Sequence, residues 1–267
     1  MIRVMVTGAY GRMGREVLKT VWHAEDMDLV GAVDGRGEGV DIGPLIGIDE
    51  VGISIENNLE EAIKRMRPDA VVDFTGPQAV YSNTICCLEH KVRPIVGATG
   101  MDPGQINEIV KLSEQIRVGG LIAPNFAIGA ILMMRFACEA VRFLPDVEII
   151  ELHHDQKVDA PSGTAIKTAE AIFEQRENEY SQGLPTEMET LEGARGGKFH
   201  GGIRIHSVRL PGLVAHQEVI FGGLGQTLTI RHDSITRESF MPGVLLAIRK
   251  TMNLERVVYG LDKLLFE

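Results

Sequence analysis

The sequence predicts an α/β protein in two parts. The first is a doubly wound parallel sheet, and the second is an α+β segment with a mixed or antiparallel sheet. Three observations carry this. Short Val- and Ile-rich runs alternate with helix-period stretches over roughly the first 125 residues. A glycine-rich turn joins the first of these runs to the first helical stretch. Beyond residue 200, three strand-like runs follow one another with only Pro-Gly or glycine turns between them.

Ile2 to Thr7 reads as a buried strand. Gly8-Ala9-Tyr10-Gly11-Arg12-Met13-Gly14 follows, then a helical stripe of Val17, Leu18, Val21 and Trp22, and a second strand from Leu29 to Val33 that ends in Asp34. Further on, helices are expected at Leu59 to Met66, Ala79 to Glu89 and Pro103 to Gln115. Strands are expected at Ala70 to Phe74, Pro94 to Val96 and Val118 to Ile122. Asp102-Pro103 starts the last of these helices, because Asp caps backbone N–H groups and Pro suits a first turn. Strands alternating with helices in this way imply right-handed crossovers and a parallel sheet.

Ile131, Leu132, Met134, Cys138 and Val141 predict a mostly buried helix over Ile128 to Phe143 that joins the two parts. Val147 to Leu152 is then a strand, and Ala165, Ala169, Ile172 and Phe173 fall at helical spacing. Arg176 to Gly202 is polar and glycine-rich, and reads as a long connection. Strands are predicted at Ile203 to Leu210, Ala215 to Phe221 and Thr227 to His232. A last helix, Phe240 to Met252, is expected to pack back on the first part. The expected domains are 1–126, completed by the C-terminal helix from about 236 to 267, and 127–235.

Composition narrows the function. The 267 residues are 44% hydrophobic, enough for a sizeable core. A formal charge of −10 and a pI near 5.3 argue against nucleic acid or an anionic membrane as the main partner. A locally basic pocket for an anionic substrate remains open. No apolar run approaches the ~20 residues of a membrane span. Met1 leads directly into a strand pattern without a signal-peptide layout, so a cytoplasmic protein is expected. Cys86, Cys87 and Cys138 have no metal or redox spacing and are expected to be buried, reduced thiols. No metal site is expected.

Gly8, Gly11 and Gly14 form G-x-x-G-x-x-G, a variant of the dinucleotide fingerprint. Its glycines let the backbone turn tightly beside a pyrophosphate, and the helix that follows offers N–H groups. Asp34 lies 20 residues past Gly14, where a carboxylate holds the adenosine ribose. The first part is therefore read as a Rossmann-like dinucleotide-binding domain. Asp34 favours NADH, whereas Arg12 and Arg36 can neutralise a 2′-phosphate, so NADH and NADPH both stay open. Gly97-Ala98-Thr99-Gly100 and Ala123-Pro124-Asn125-Phe126 close later strands at the carboxyl edge and read as the nicotinamide end of the site.

The densest polar stretch is Glu151 to Thr164, E-L-H-H-D-Q-K-V-D-A-P-S-G-T, on a strand-to-helix connection. Ser162 is a helix cap, and Gly163 and Thr164 with the N–H groups beside them can seat a carboxylate. Lys157 adds positive charge, which suggests a small anionic substrate beside a general acid. His153 and His154 are adjacent, so on a continuing strand they would face opposite ways.

This stretch resembles the signature of the dihydrodipicolinate reductase (4-hydroxy-tetrahydrodipicolinate reductase) family of the bacterial diaminopimelate and lysine pathway. The likeness extends to G-x-x-G-R-M-G at Gly8 to Gly14, G-A-T-G at Gly97 to Gly100, A-P-N-F at Ala123 to Phe126 and F-G-G-L-G-Q-T-L-T-I-R-H-D-S at Phe221 to Ser234. The resemblance implies reduction of 4-hydroxy-tetrahydrodipicolinate to tetrahydrodipicolinate with loss of water. It implies His153 at the proton-transfer position, Lys157 as proton donor, and His154, Ser162, Gly163 and Thr164 against a small dicarboxylate. The cofactor, NADH and/or NADPH, would meet Gly8, Ala9, Tyr10, Gly11, Arg12, Met13, Asp34, Gly97, Ala98, Thr99, Ala123, Pro124, Asn125 and Phe126. A homotetramer assembled through the second domain is implied as well.

Ala98, Gly35, Tyr10 and Gln226 depart from the residues common in the family at those positions. Two rival readings have weaker support. One is another two-domain dehydrogenase, acting on a semialdehyde or a polyol; an acylating semialdehyde enzyme needs a nucleophilic Cys at a cleft position, and all three cysteines fall in helical patterns. A nucleotide-binding redox sensor would not need His153, His154 and Lys157.

Overall fold

The computed structural model describes residues 1–176, 180–183 and 186–266. The chain forms two compact units, Met1–Phe126 with Phe240–Glu267 and Ala127–Ser239.

The first unit begins with β1 (Ile2–Thr7), α1 (Arg12–Trp22), β2 (Met27–Val33), α2 (Ile42–Ile46), β3 (Ile55–Glu56), α3 (Leu59–Met66) and β4 (Ala70–Asp73). It continues with α4 (Val80–Glu89), β5 (Arg93–Val96), α5 (Pro103–Ile116) and β6 (Gly120–Ile122). Helix α1 buries Gly14, Val17, Leu18 and Val21, the stripe that its 3.6-residue period puts on one side. Helix α5 carries a full capping box. Asp102 accepts from the Gln105 N–H at 2.9 Å, and the Gln105 side chain accepts from the Asp102 N–H at 3.0 Å. Two short elements, α2 and β3, were not expected. Asp41 organises them by accepting the N–H groups of Gly43, Val51 and Gly52, which folds the segment after β2 back on itself.

The second unit comprises α6 (Ile128–Ala140), β7 (Asp146–His153), α7 (Gly163–Gln175), β8 (Gly197–Lys198), β9 (Arg204–Arg209), β10 (Ala215–Gly223) and β11 (Gln226–Ser234). Its sheet runs β11-β10-β7-β9-β8 and is mixed: β10 is antiparallel to β7 and β11, while β9 is parallel to β7. One face meets α6 and α7 in a core of Met133, Ala137, Val147, Ile149, Ala169, Ile172, Ile205, Val219 and Phe221. The opposite face presents half-buried Ile150, Leu152, Val208 and Ile220, interleaved with charged residues. β9 and β10 are consecutive yet lie on either side of β7. The stretch expected as a long connection over 176–202 contains β8 and a 3₁₀ turn at His200–Gly202. Residues 177–179, 184 and 185 of that stretch lie outside the described residues.

The chain then returns to the first unit with α8 (Met241–Thr251), β12 (Val257–Tyr259) and α9 (Asp262–Phe266). β12 adds a strand beside β6 that the sequence did not announce. Among the described residues, seven strands then lie in the order β12-β6-β5-β4-β1-β2-β3, all paired in parallel. The direction of winding reverses between β1 and β4, the place where ligands bind in such sheets. Helix α8 approaches closely because of Gly243, where a side chain would meet the Phe126 carbonyl at 2.0 Å. All three cysteines are free. Cys87 is buried, while Cys86 and Cys138 are only partly so, because each lies at the edge of its helix's apolar side.

Candidate active site

The glycine-rich turn occupies the switch point between β1 and β4. Gly8 has φ +75°, and a side chain there would lie 2.6 Å from the Phe74 carbonyl at the end of β4. A Cβ at Gly14 would lie 2.0 Å from the Gly8 carbonyl, so α1 starts directly against the turn. No side chain caps α1 at Gly11, which leaves its first-turn N–H groups to an external acceptor. Asp34 sits just past β2, with Oδ2 accepting from the Tyr10 N–H (3.0 Å) and Oδ1 from the Arg36 N–H (2.9 Å). The carboxylate thus ties the segment after β2 to the glycine turn.

The Tyr10 ring packs on the backbone of Gly37. The Arg15 and Arg36 guanidinium groups lie 4.7 and 5.8 Å from its centre. The bulky residue thereby braces the loop after β2. These features fit a dinucleotide: a close backbone turn, unspent helix N–H groups and a carboxylate at the end of β2.

Gly97, Ala98 and Thr99 follow β5, and Ala123 to Phe126 follow β6, at the same edge of the sheet. The Gly97 and Ala98 N–H groups donate to the Asp73 carbonyl at 2.8 and 3.1 Å. A side chain at Gly97 would strike the Phe74 ring, which meets the Phe126 ring at a tilt of 52° with centroids 5.7 Å apart. The three loops after β4, β5 and β6 therefore interlock. Asp73 is buried, and burial raises its carboxyl pKa despite bonds from Thr75, Asn83 and Thr7.

In the second unit, β7 ends at His153, and His154 lies beyond the strand. His154 is therefore outside the strict alternation of the strand. His153 shares the inward face with Glu151 two residues earlier, and its Nδ1 lies 2.5 Å from Glu151 Oε2. The turn that follows is closed by the Lys157 N–H donating to the His154 carbonyl at 3.2 Å. The Lys157 ammonium bonds both oxygens of Asp159 at 2.7 and 2.9 Å, which lowers the Asp159 pKa. Ser162 caps α7, its hydroxyl accepting from the Ala165 N–H at 3.2 Å. A side chain at Gly163 would meet nothing within 4 Å, so the start of α7 is open beside Thr164.

Two residues to which sequence reasoning gave no role stand at the centre of this unit's polar group. Glu151 is 0% exposed, and Arg209 grips it from the parallel neighbour β9. Burial would raise the Glu151 carboxyl, yet bonds from His153, Arg209 and Ser207 outweigh it and hold the pKa at about 2. The signal was the charged residue at an inward position of an apolar strand. Its partner lies 58 residues away and could not be named from the sequence.

A nucleotide-type turn on a doubly wound sheet, and in the other unit a lysine, two histidines and an open glycine at the start of α7, define a Rossmann-fold oxidoreductase. The family model described as dihydrodipicolinate reductase, N-terminus, matches residues 2–126, and that described as dihydrodipicolinate reductase, C-terminus, matches 129–265. A 4-hydroxy-tetrahydrodipicolinate reductase of Desulfitobacterium hafniense is 58% identical over 99% of this chain and 98% of its own. One of Listeria innocua is 53% identical over 99% of this chain and 100% of its own. The solved structure of a dipicolinate-bound dihydrodipicolinate reductase from Paenisporosarcina sp. TG-14 superposes with a TM-score of 0.87. It is 48% identical, covering 98% of this chain and 99% of that one. The chain belongs to the dihydrodipicolinate reductase family.

Proposed function

We propose that this protein reduces 4-hydroxy-tetrahydrodipicolinate to tetrahydrodipicolinate, with loss of water, in diaminopimelate and lysine biosynthesis. The observation that carries the reading is the complete Glu151–Thr164 motif at the junction of β7 and α7, in a chain that matches reductases of that name from end to end. The first unit is the dinucleotide-binding domain, and the second binds substrate.

When bound, NAD(P)H supplies the hydride that adds at C4 of the ring. Gly8, Ala9, Tyr10, Gly11, Arg12 and Met13 with the first turn of α1 hold the pyrophosphate, and Asp34 holds the adenosine ribose. Gly97, Ala98 and Thr99 with Ala123, Pro124, Asn125 and Phe126 enclose the nicotinamide end. Asp34 favours NADH, and Arg12 and Arg36 offset its charge enough for NADPH to be used too. In the second unit, Ser162, Gly163 and Thr164 seat one substrate carboxylate on helix N–H groups, and His154 orients the ring. Lys157 leaves Asp159 to give its proton to the nitrogen-conjugated carbanion, with His153 at the proton-transfer position.

The face of the second sheet that carries Ile150, Leu152, Val208 and Ile220 is the surface through which a homotetramer forms. Free thiols and the use of NAD(P)H fit a cytoplasmic enzyme. Among the described residues no helix is long and apolar enough to cross a membrane.

The test is NAD(P)H oxidation with substrate generated in situ from pyruvate and aspartate semialdehyde by the preceding synthase. Oxidation that depends on the synthase is expected. Its absence with both cofactors would overturn the reading. Dipicolinate, the ligand of the Paenisporosarcina relative, is expected to inhibit competitively against the substrate.

A further inference from the structure

We infer that the Glu151–Arg209 ion pair is a positioning element that holds three parts of the substrate site in register: the His153 imidazole, the turn bearing Lys157 and the start of α7. The inference rests on the roles given above to His153, Lys157 and Gly163–Thr164. Neither Glu151 nor Arg209 has a role in that reading.

Glu151 occupies an inward position on β7, after the core residues Val147 and Ile149. A carboxylate there loses its hydration and is retained only if its charge and lone pairs are met. Besides the Ser207 side chain on β9, its partners tie it to the parts of the site. Arg209 Nη1 and Nη2 donate in a fork at 2.9 and 2.7 Å, the geometry that suits a guanidinium best. The Ser162 N–H donates at 3.2 Å, which anchors the cap of α7 immediately before Gly163 and Thr164. His153 Nδ1 lies against the other oxygen. Arg209 Nη2 also donates to the Asp159 carbonyl at 2.7 Å, and Asp159 is the residue whose carboxylate receives Lys157.

The register explains the convergence. β7 and β9 pair in parallel with Glu151 beside Ser207 and His153 beside Arg209, so Arg209 emerges next to the imidazole and reaches back one row to the carboxylate. On the other flank, Gln217 pairs with Glu151. Its side chain donates to the Thr168 hydroxyl at 2.8 Å, which in turn donates to the Thr164 carbonyl at 2.8 Å. The carboxylate row thus braces the substrate turn from two sides.

For His153 the consequence is chemical. A carboxylate on Nδ1 keeps the proton of a neutral imidazole on that nitrogen, so Nε2 is the atom left for proton transfer. For Lys157 and Thr164 the consequence is geometric, and misplacement by about 1 Å costs on the order of 10²-fold in rate.

The test uses Glu151→Gln, which keeps the size but not the charge, and Arg209→Lys, which keeps the charge but not the fork. Glu151→Gln is expected to lower kcat roughly 10²-fold, while NADH affinity by fluorescence titration stays within about 2-fold of wild type, the mark of an intact fold. In a His153→Ala background the same change should still lower kcat, through the Lys157 turn and the start of α7, but by less than it does in wild type, because groups acting as one unit are not additive. Arg209→Lys is expected to raise the substrate KM more than it lowers kcat. Long-range ¹H–¹⁵N spectra should show His153 protonated on Nδ1 in wild type and not in Glu151→Gln, a readout independent of turnover. An active wild type with unchanged kcat and unchanged His153 tautomer in Glu151→Gln overturns the inference and leaves the proposed reaction standing. A wild type that does not turn over overturns that reaction instead, and the spectra still decide whether Glu151 orients His153.

Discussion

Replacing Gly14 by Ala tests whether the close start of α1 against the glycine turn serves nucleotide binding. The new Cβ would lie 2.0 Å from the Gly8 carbonyl oxygen and 2.7 Å from its carbon, both backbone atoms. Ordinary contact begins near 3.4 Å, so about 1.4 Å must be recovered by moving α1 or the turn. The turn cannot retreat, because Gly8 has φ +75° and already lies against the Phe74 carbonyl. Overpacking of this kind costs about 1–3 kcal/mol of stability. It also draws the α1 N–H groups away from the pyrophosphate, for which a loss of roughly 10²-fold in NADH affinity is expected. At NADH 100 times the wild-type Kd, wild type gains about 2.7 kcal/mol by linkage, and a variant binding 100-fold more weakly gains only ~0.4. Fluorescence titration and thermal unfolding with and without NADH measure both quantities. Gly163→Ala is the control, since nothing lies within 4 Å of its Cβ position, and it should leave Tm unchanged while raising the substrate KM. A Gly14→Ala protein with wild-type Tm and a Kd within about 2-fold would refute the reasoning.

Lys157→Ala should lower kcat by roughly 10²-fold or more, and an unchanged kcat removes it as the proton donor. Asp34→Ala should weaken NADH more than NADPH, whose 2′-phosphate the Asp34 carboxylate opposes, and equal losses in parallel titrations would count against the ribose assignment. Stability should also depend on pH through Glu151. Its folded pKa of about 2 lies below the unfolded 4.5, so its contribution is fully present above pH 4.5 and is lost as pH falls towards 2. The full effect is about 3 kcal/mol. Denaturant melts across that window should show a flatter pH dependence for Glu151→Gln, and parallel curves would refute the linkage. Asp73, raised by burial, acts in the opposite direction: its contribution is present below its unfolded pKa and fades as pH rises.

What was legible in the sequence was local. The stripe Val17, Leu18 and Val21 and the cap Asp102-Pro103 name helices because their period and hydrogen bonds span only a few residues. Gly8 to Gly14 names its turn because only glycine allows such backbone contacts. Short partners escaped: β3, β8 and β12 hold two or three residues each, too few to show a period, and exist because a neighbouring strand accepts them. The same limit applies to the candidate site. His153, His154, Lys157 and Ser162 to Thr164 stand together in the chain and could be read as one group. Arg209 joined them only when β9 paired in parallel with β7, skipping the place beside β10 that its order in the chain suggested.

By itself, then, the sequence determined the longer helices and strands, the glycine turn, the motif and the family. Only the tertiary structure decided that a fully buried Glu151 gathers His153, Arg209 and the cap of α7. Strand register is a long-range choice, made by which residues can bury their apolar faces together, and no local pattern encodes it.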